Sequence, residues 1–363
     1  MNTMANKKYN VKAVAKYAGA FIAFVIGPGF ATGQEMLQFF ASFGGASYGV
    51  LLLNLVGFLF FGRIIVATGY EHKEQERFNH FKFYCGKWLG AVYSKLVLVF
   101  LLMIMSVLIA ASGATFSEYY GVHHFIGSAV MALSILTAYL IGFENLVRLV
   151  SKIGPVIVAF ALFIGIITII NNFQGFGNIG QREEALAHLQ RAPHWSISAV
   201  IYLSLTFFTA STYYTALGRS ADSKKDALLG TSLGAIAIIT VIGIINTAIL
   251  LSIGDSALLS VPTLFLASQI SFGLATVFSV VLLLGMFASC STIMWAVCNQ
   301  FFTEGSWKNR FVAITTTVII FVIGLFPFEE LVGIFYPIMG YTGLIFIACV
   351  AYKGVTKRKS EAS

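Results

Sequence analysis

Glu35 is a carboxylate in an apolar stretch, in the run Phe21-Ile-Ala-Phe-Val-Ile-Gly-Pro-Gly-Phe-Ala-Thr-Gly-Gln-Glu35. A charge well inside a hydrophobic span persists only with a partner, a cavity or a titratable role. Three roles fit: counter-charge to a substrate amine, proton carrier, or partner in an external gate. A position at the outer membrane interface would need none of them. Just before it, Gly27, Pro28, Gly29 and Gly33 interrupt the helix. Pro28 lacks an N–H and clashes with the preceding turn, and the glycines lower helix propensity. In hydrocarbon such a break leaves polar groups unpaired, so it is tolerated only when buried in protein or lining a cavity. The N–H groups freed around Gly27, Gly29, Ala31, Thr32 and Gly33 sit at the positive end of a second half-helix and suit a substrate carboxylate. A kink made for helix packing alone is the competing reading.

A second polar run is Ile201 to Gly218, with Ser204, Thr206, Thr209, Ser211, Thr212 and Thr215 among Tyr202, Tyr213 and Tyr214. It reads either as a second break near Thr206–Thr209 or as a bent helix whose hydroxyls bond back to its own carbonyls. Cys85, Cys290, Cys298 and Cys349 have neither zinc nor disulfide-framework spacing and read as packing residues. No His, Cys or paired-carboxylate constellation falls at a common depth, which argues against an enzyme.

These residues need a membrane scaffold to position them. The 363-residue chain is 58% hydrophobic and only 10% charged, the composition of an all-α polytopic membrane protein. Ten spans are expected, at roughly 11–42, 46–70, 92–119, 122–141, 150–172, 196–217, 227–252, 272–302, 309–326 and 331–352. With both termini cytoplasmic, 21 of the 23 Lys and Arg fall on the cytoplasmic side, and only Arg182 and Arg191 lie outside. This follows the positive-inside rule for a multi-pass cell-membrane protein. The net charge of +8 is thereby assigned to topology and not to nucleic acid. The basic segment Met1 to Lys16 runs into the first span without the form of a cleavable signal.

Laid side by side in fives, the spans repeat at an offset of about 180 residues. Five is odd, so the second half is expected to run inverted through the membrane, the geometry of an inverted repeat with broken first and sixth helices. The expected division is a cytoplasmic segment 1–10, repeats 11–172 and 196–352 about an extracellular loop 173–195, and a cytoplasmic tail 353–363. Glu71 to Trp88 reads as a cytoplasmic interfacial helix. Asp255 to Ile270, with Pro262, reads as an external loop with short helices, a candidate lid.

Several motifs carry a resemblance. Gly27-x-Gly29 followed by Gly44-Gly-Ala46 looks like the opening of neurotransmitter:sodium symporters. Glu144-Asn-Leu-Val-Arg-Leu-Val-Ser-Lys-Ile-Gly-Pro155 resembles the start of their fifth span, and Arg219 to Asp226 the loop after their sixth. Over nearly its whole length the chain is similar to the amino acid–polyamine–organocation superfamily, with the leucine-transporter fold. Within it the chain most resembles the YkvI-type bacterial membrane proteins, regarded as candidate amino acid permeases. The resemblance implies a secondary transporter of amino-acid-like solutes coupled to Na⁺ or H⁺.

It also implies ligands. In Ala288-Ser-Cys-Ser-Thr292, Ser291 and Thr292 match hydroxyls that hold sodium in those symporters, and carbonyls of Ala23 and Ile26 would complete the shell. Oxygen-only ligation suits Na⁺; hydroxyls capping helix carbonyls are the alternative. Asn246 and Thr247 fit the pattern of a second sodium site, but Phe30 stands where an asparagine would be, so one site is expected. Lys152 aligns with the cytoplasmic mouth of the fifth span, which leaves proton coupling to Glu35 or another carboxylate. Glu118 ends the third span and reads as interfacial. Met103-Ile-Met-Ser106 lacks the tyrosine common in the third span of the family, so Tyr202, Phe207 and Phe208 are candidates for an aromatic wall beside Thr206 and Thr209, or for core packing. The expected function is alternating-access symport of an amino acid or similar solute, with Na⁺ as the coupling ion and no other cofactor. A ligand-sensing receptor on the same fold and a proton-coupled permease are the alternatives.

Overall fold

A computed structural model describes residues 9–25, 27–142, 154–179, 186–252, 259–300 and 306–362. Among these the chain is helical with no strand. Helix α1 spans Val11–Val25, α2 Pro28–Ala31 and α3 Gln34–Phe39. A 3₁₀ segment, Ala41–Ala46, leads into α4, Ser47–Glu71. Then follow α5 His80–Tyr120, broken at Gly86 into a short first piece and a long span, α6 His124–Ile141 and α7 Gly154–Asn171. The second half holds α8 Trp195–Arg219, α9 Lys224–Leu251, the short α10 Pro262–Ile270, α11 Phe272–Cys298, α12 Trp307–Ile323 and α13 Phe328–Ala362.

Among the described residues, eight helices are long and apolar enough to cross a membrane. The other two expected spans are the interrupted α1–α3 segment and α12, which has 17 residues. Side chains set the helix starts. Asn79 accepts from the Lys82 N–H at 2.9 Å, and Ser306 accepts from that of Asn309 at 3.2 Å, each satisfying a donor that the first turn leaves open.

Helix α8 is the central element, packed between α4 and α13, while α1 lies along α9. The α4–α8 crossing is close because it is built on glycine. A Cβ on Gly69 would stand 2.2 Å from the Thr215 carbonyl oxygen, and one on Gly218 would stand 2.1 Å from that of Val66. Small residues let helix backbones approach where lipid supplies no hydrophobic drive between helices.

The sixth span corrects the expectation of a second break, because α8 is one continuous helix. Its hydroxyls are the reason. Ser204 donates to the Val200 carbonyl at 2.6 Å, Thr206 to Tyr202 at 2.8 Å, Thr209 to Leu205 at 2.9 Å and Ser211 to Phe208 at 2.8 Å. These four hydroxyls are satisfied inside the helix that carries them, while that of Thr215 is buried without a partner. The segment after Glu71 holds a short helix from His80 that Gly86, at φ 78°, separates from the long span and that folds back on its start, where Asn79 Nδ2 donates to Ser94 at 3.0 Å. Helix α5 starts at His80, and His80, Phe81 and Tyr84 are buried. His80 bonds Ser211 at 2.9 Å, and Phe81 packs on Phe208 and Phe346. At the other end, α13 continues past residue 352 to Ala362.

Candidate functional site

The first span breaks where the glycines and Pro28 place the break. Between α2 and α3, Gly33 adopts φ 84°, left-handed backbone that favours glycine. The polar groups of the break are then taken up one by one. Thr32 Oγ1 donates to the Gly29 carbonyl at 2.6 Å and accepts from the Gln34 N–H at 3.3 Å. The Thr263 N–H donates to the Thr32 carbonyl at 3.1 Å, and its hydroxyl donates to that of Ala31. Thr263 lies in the first turn of α10, so the segment expected to act as a lid is what satisfies the broken backbone. A Cβ on Gly33 would stand 2.8 Å from Thr263 Cγ2, so glycine serves both the turn and the close approach.

The N–H groups of the break are also occupied. Gly27 donates to Val25, Ala31 to Gly27, Thr32 to Gly29 and Gly33 to Phe30, at 3.0 to 3.3 Å. These four do not present the free anion-binding donors expected from the sequence.

The chemistry of the break lies in Glu35. Its side chain is buried, and its Oε1 accepts from the Tyr336 hydroxyl at 3.0 Å. The Tyr202 side chain lies beside the carboxylate. Gly29 forms the adjoining wall: a Cβ there would stand 3.4 Å from Glu35 Oε1 and 3.5 Å from Leu108 Cδ2. Phe39 and Phe40 pack on Tyr202, and Phe39 also on Tyr336. Among the described residues no basic side chain forms an ion pair with Glu35. The neighbouring Gln34 adds a buried Oε1 with no hydrogen-bond partner. A buried carboxylate held by one phenol without a fixed cation is chemically set to receive a positive group or a proton.

Above α3 a polar belt closes one end. Gln38 donates from Nε2 to the Glu329 carbonyl at 2.7 Å and accepts from Arg191 Nε at 3.1 Å. Gln190 donates to the Ser42 carbonyl at 2.9 Å, and Ser198 to that of Phe39 at 2.8 Å. The Glu118 carboxylate accepts from the N–H groups of Ser260 at 2.5 Å and Val261 at 3.0 Å, and Ser260 donates to Glu329 Oε2 at 2.8 Å. Burial pulls the Arg191 guanidinium down from its ordinary value, while Glu330 and Glu329 oppose the shift. On the α1 side of the break Phe24 stacks on Tyr213, with ring centres 5.3 Å apart. Ala23, Phe24 and Tyr213 are exposed.

The structure therefore brings Gly29, Glu35 and Tyr202 together and adds Tyr336, which the sequence reading missed. A phenol just before Pro337, inside an apolar helix, was the available signal. Ala31, Thr32 and Gly33 face Thr263. Thr206 and Thr209 spend their hydroxyls within α8. Phe207 packs on Phe58 and Phe61, and Phe208 on Phe81, Tyr93, Phe100 and Phe346. Both belong to the helix core away from Glu35.

Of the residues proposed for sodium, Ser291 has a buried hydroxyl with no partner. Thr292 donates to the Ala288 carbonyl at 2.8 Å, and Ala288 is buried. Ala23 is exposed, and Ile26 and Lys152 lie outside the described residues. Asn246 donates to Ser47 at 3.0 Å and Thr247 to the Gly243 carbonyl at 2.7 Å.

No family model matches the chain. It is similar to two Bacillus subtilis proteins over nearly their full lengths. One, described as the uncharacterized membrane protein YkvI, is 23% identical over 359 residues, covering 96% of this chain and 98% of the relative. The other, the uncharacterized protein YyaD, is 19% identical over 339 residues, covering 93% and 96%. Among solved structures, a variant of the manganese transporter of Eremococcus coleocola aligns with a TM-score of 0.53 at 12% identity, covering 95% of this chain and 80% of that one. A second variant aligns with a TM-score of 0.51, also at 12% identity, covering 96% and 81%. The chain thus has a multi-helix membrane fold shared with a transporter, with its first membrane segment broken around a buried carboxylate.

Proposed function

We propose that this protein is a secondary active transporter working by alternating access, and that it carries a small organic solute with a basic nitrogen, an amino acid or a close analogue. The observation that carries this reading is Glu35, buried at the break, bonded by Tyr336, flanked by Tyr202 and without an ion-pair partner among the described residues. The solute's ammonium group supplies the missing positive charge, and Gly29 adjoins the carboxylate. The two-half architecture, repeats 11–172 and 196–352 related by an inverted two-fold axis, belongs to the same proposal, with only the first repeat broken.

Na⁺ is the proposed coupling ion. Its support is Ser291, whose buried hydroxyl has no partner, as suits an oxygen that serves a hard cation. Membrane potential supplies about 2.3 kcal/mol per charge at 100 mV, and a tenfold ion gradient adds about 1.4 kcal/mol. Together these sustain accumulation on the order of several hundredfold. The Glu35 geometry also supports a second reading, in which a proton takes the place of the cation and drives transport. The manganese of the fold neighbours is not carried over. Among the described residues no group of three or more His, Cys, Asp or Glu could hold a metal ion.

Counterflow of labelled amino acids in proteoliposomes, with and without Na⁺, tests the proposal. Exchange of at least one amine-bearing solute, stimulated by Na⁺, is expected. An absence of exchange across the panel, with saturable ligand binding retained, would favour a sensor.

A further inference from the structure

A cleft of about 520 Å³ lies far from Glu35 along the chain, between the ends of four helices. Its walls come from the last turns of α4, the first turn of α5, the start of α9 and the last turns of the α13 span. All four ends lie at one face of the helix bundle, and the charge distribution assigns that face to the cytoplasm. The cleft holds three cations, Arg63, Lys224 and Lys353, against one carboxylate, Glu71. Lys224 pairs with Glu71 at 2.7 Å. Lys353 donates to the Phe83 carbonyl and stands 4.1 Å from the centre of the Phe83 ring. Arg63 is exposed two turns inside the end of α4, about 12 Å from Glu71 along the axis. Its Nη1 donates to Ser232 at 3.1 Å, itself two turns inside α9. Ile64, Ala67 and Leu228 line the same cleft.

We infer that this cleft binds the phosphate-bearing headgroup of an anionic phospholipid from the cytoplasmic leaflet. Three cations against one carboxylate leave a positive excess that selects an anion. Arg63 is placed deeper than a soluble anion needs. A guanidinium exposed at that depth is costly in hydrocarbon, and a lipid phosphate drawn down beside it covers that charge. The apolar lining matches the first methylenes of the acyl chains. Basic pockets between membrane helices on the cytoplasmic side have this recognition chemistry.

The test uses the full purified chain in neutral detergent, titrated with short-chain phosphatidylglycerol, with phosphatidylcholine of the same chain length, and with inorganic phosphate. Binding is read by native mass spectrometry and by the rise in melting temperature. Phosphatidylglycerol is expected to bind and stabilise, and phosphatidylcholine to do neither. The double variant Arg63→Gln, Lys353→Gln is expected to weaken phosphatidylglycerol binding about tenfold or more. Arg63→Gln alone, at an exposed side chain, gives the smaller loss in the same direction should the double variant not fold. Millimolar inorganic phosphate is expected not to compete. Equal binding of the two lipids, or unchanged phosphatidylglycerol binding in Arg63→Gln, overturns the site. Full competition by inorganic phosphate overturns the lipid assignment.

Discussion

The Tyr336 hydroxyl donates to Glu35 Oε1 at 3.0 Å, joining the last helix of the chain to the half-helix that follows the first break. This bond links the candidate recognition carboxylate to α13, whose first turn carries Glu329 and Glu330 of the closing belt. The bond leaves the other carboxylate lone pairs free and fixes the orientation in which Glu35 meets a cation. The site and the belt thus share one helix.

Tyr336→Phe keeps the ring and its packing on Phe39 but removes the donor. A hydrogen bond to a charged group is worth about 1.5–3 kcal/mol. The variant is expected to insert and fold normally and to lose about tenfold or more in apparent substrate affinity, read as KM in uptake. An unchanged KM would place Tyr336 in packing alone.

Gly33→Ala is expected to destabilise the protein. Left-handed backbone costs a non-glycine residue about 1–2 kcal/mol, and the added methyl meets Thr263 Cγ2 at 2.8 Å. The melting temperature in detergent should fall by several degrees, and the α10 segment should become easier to cleave with protease. Gly27→Ala, where no atom lies within 4 Å of the added methyl, is the contrasting control with little change.

The break was legible because Gly and Pro act through the local backbone, which a sequence displays directly. How it is satisfied was not legible, since Thr263 meets Ala31 and Thr32 only after the chain has folded back from residue 263. The sixth span misled for a physical reason. Hydroxyls such as Thr206 and Thr209 serve equally to open a helix or to bond its own carbonyls, and the second outcome holds. Tyr336 was hidden because its partner is 301 residues away. Glu35 stood out from composition alone, since charge is rare in such a stretch.

Arg191 should hold the belt closed. Its Nε bonds Gln38, and its guanidinium fills the space over Gly333, where a Cβ would stand 2.5 Å from it. In a cysteine-free background, Arg191→Gln is expected to raise several-fold the rate at which an impermeant maleimide labels Ala31→Cys from outside. Unchanged labelling would show that Arg191 does not gate access to the break.

Ser291→Ala is expected to leave stability nearly unchanged, because the hydroxyl it removes has no partner and its desolvation is already a cost. The Na⁺ concentration needed for half-maximal uptake should rise, with substrate recognition at saturating Na⁺ preserved. Uptake that ignores Na⁺ and collapses with an uncoupler would replace sodium by proton coupling.

The most direct measurement is solute counterflow by Glu35→Gln beside the parent protein, in proteoliposomes across a range of pH. The substitution keeps shape and hydrogen bonding and removes the charge. Exchange of amine-bearing solutes is expected to fall about a hundredfold, with the helical content and gel-filtration profile of the parent retained. Binding, exchange and pH dependence equal to those of the parent would contradict the account, because the cation would then be recognised without Glu35.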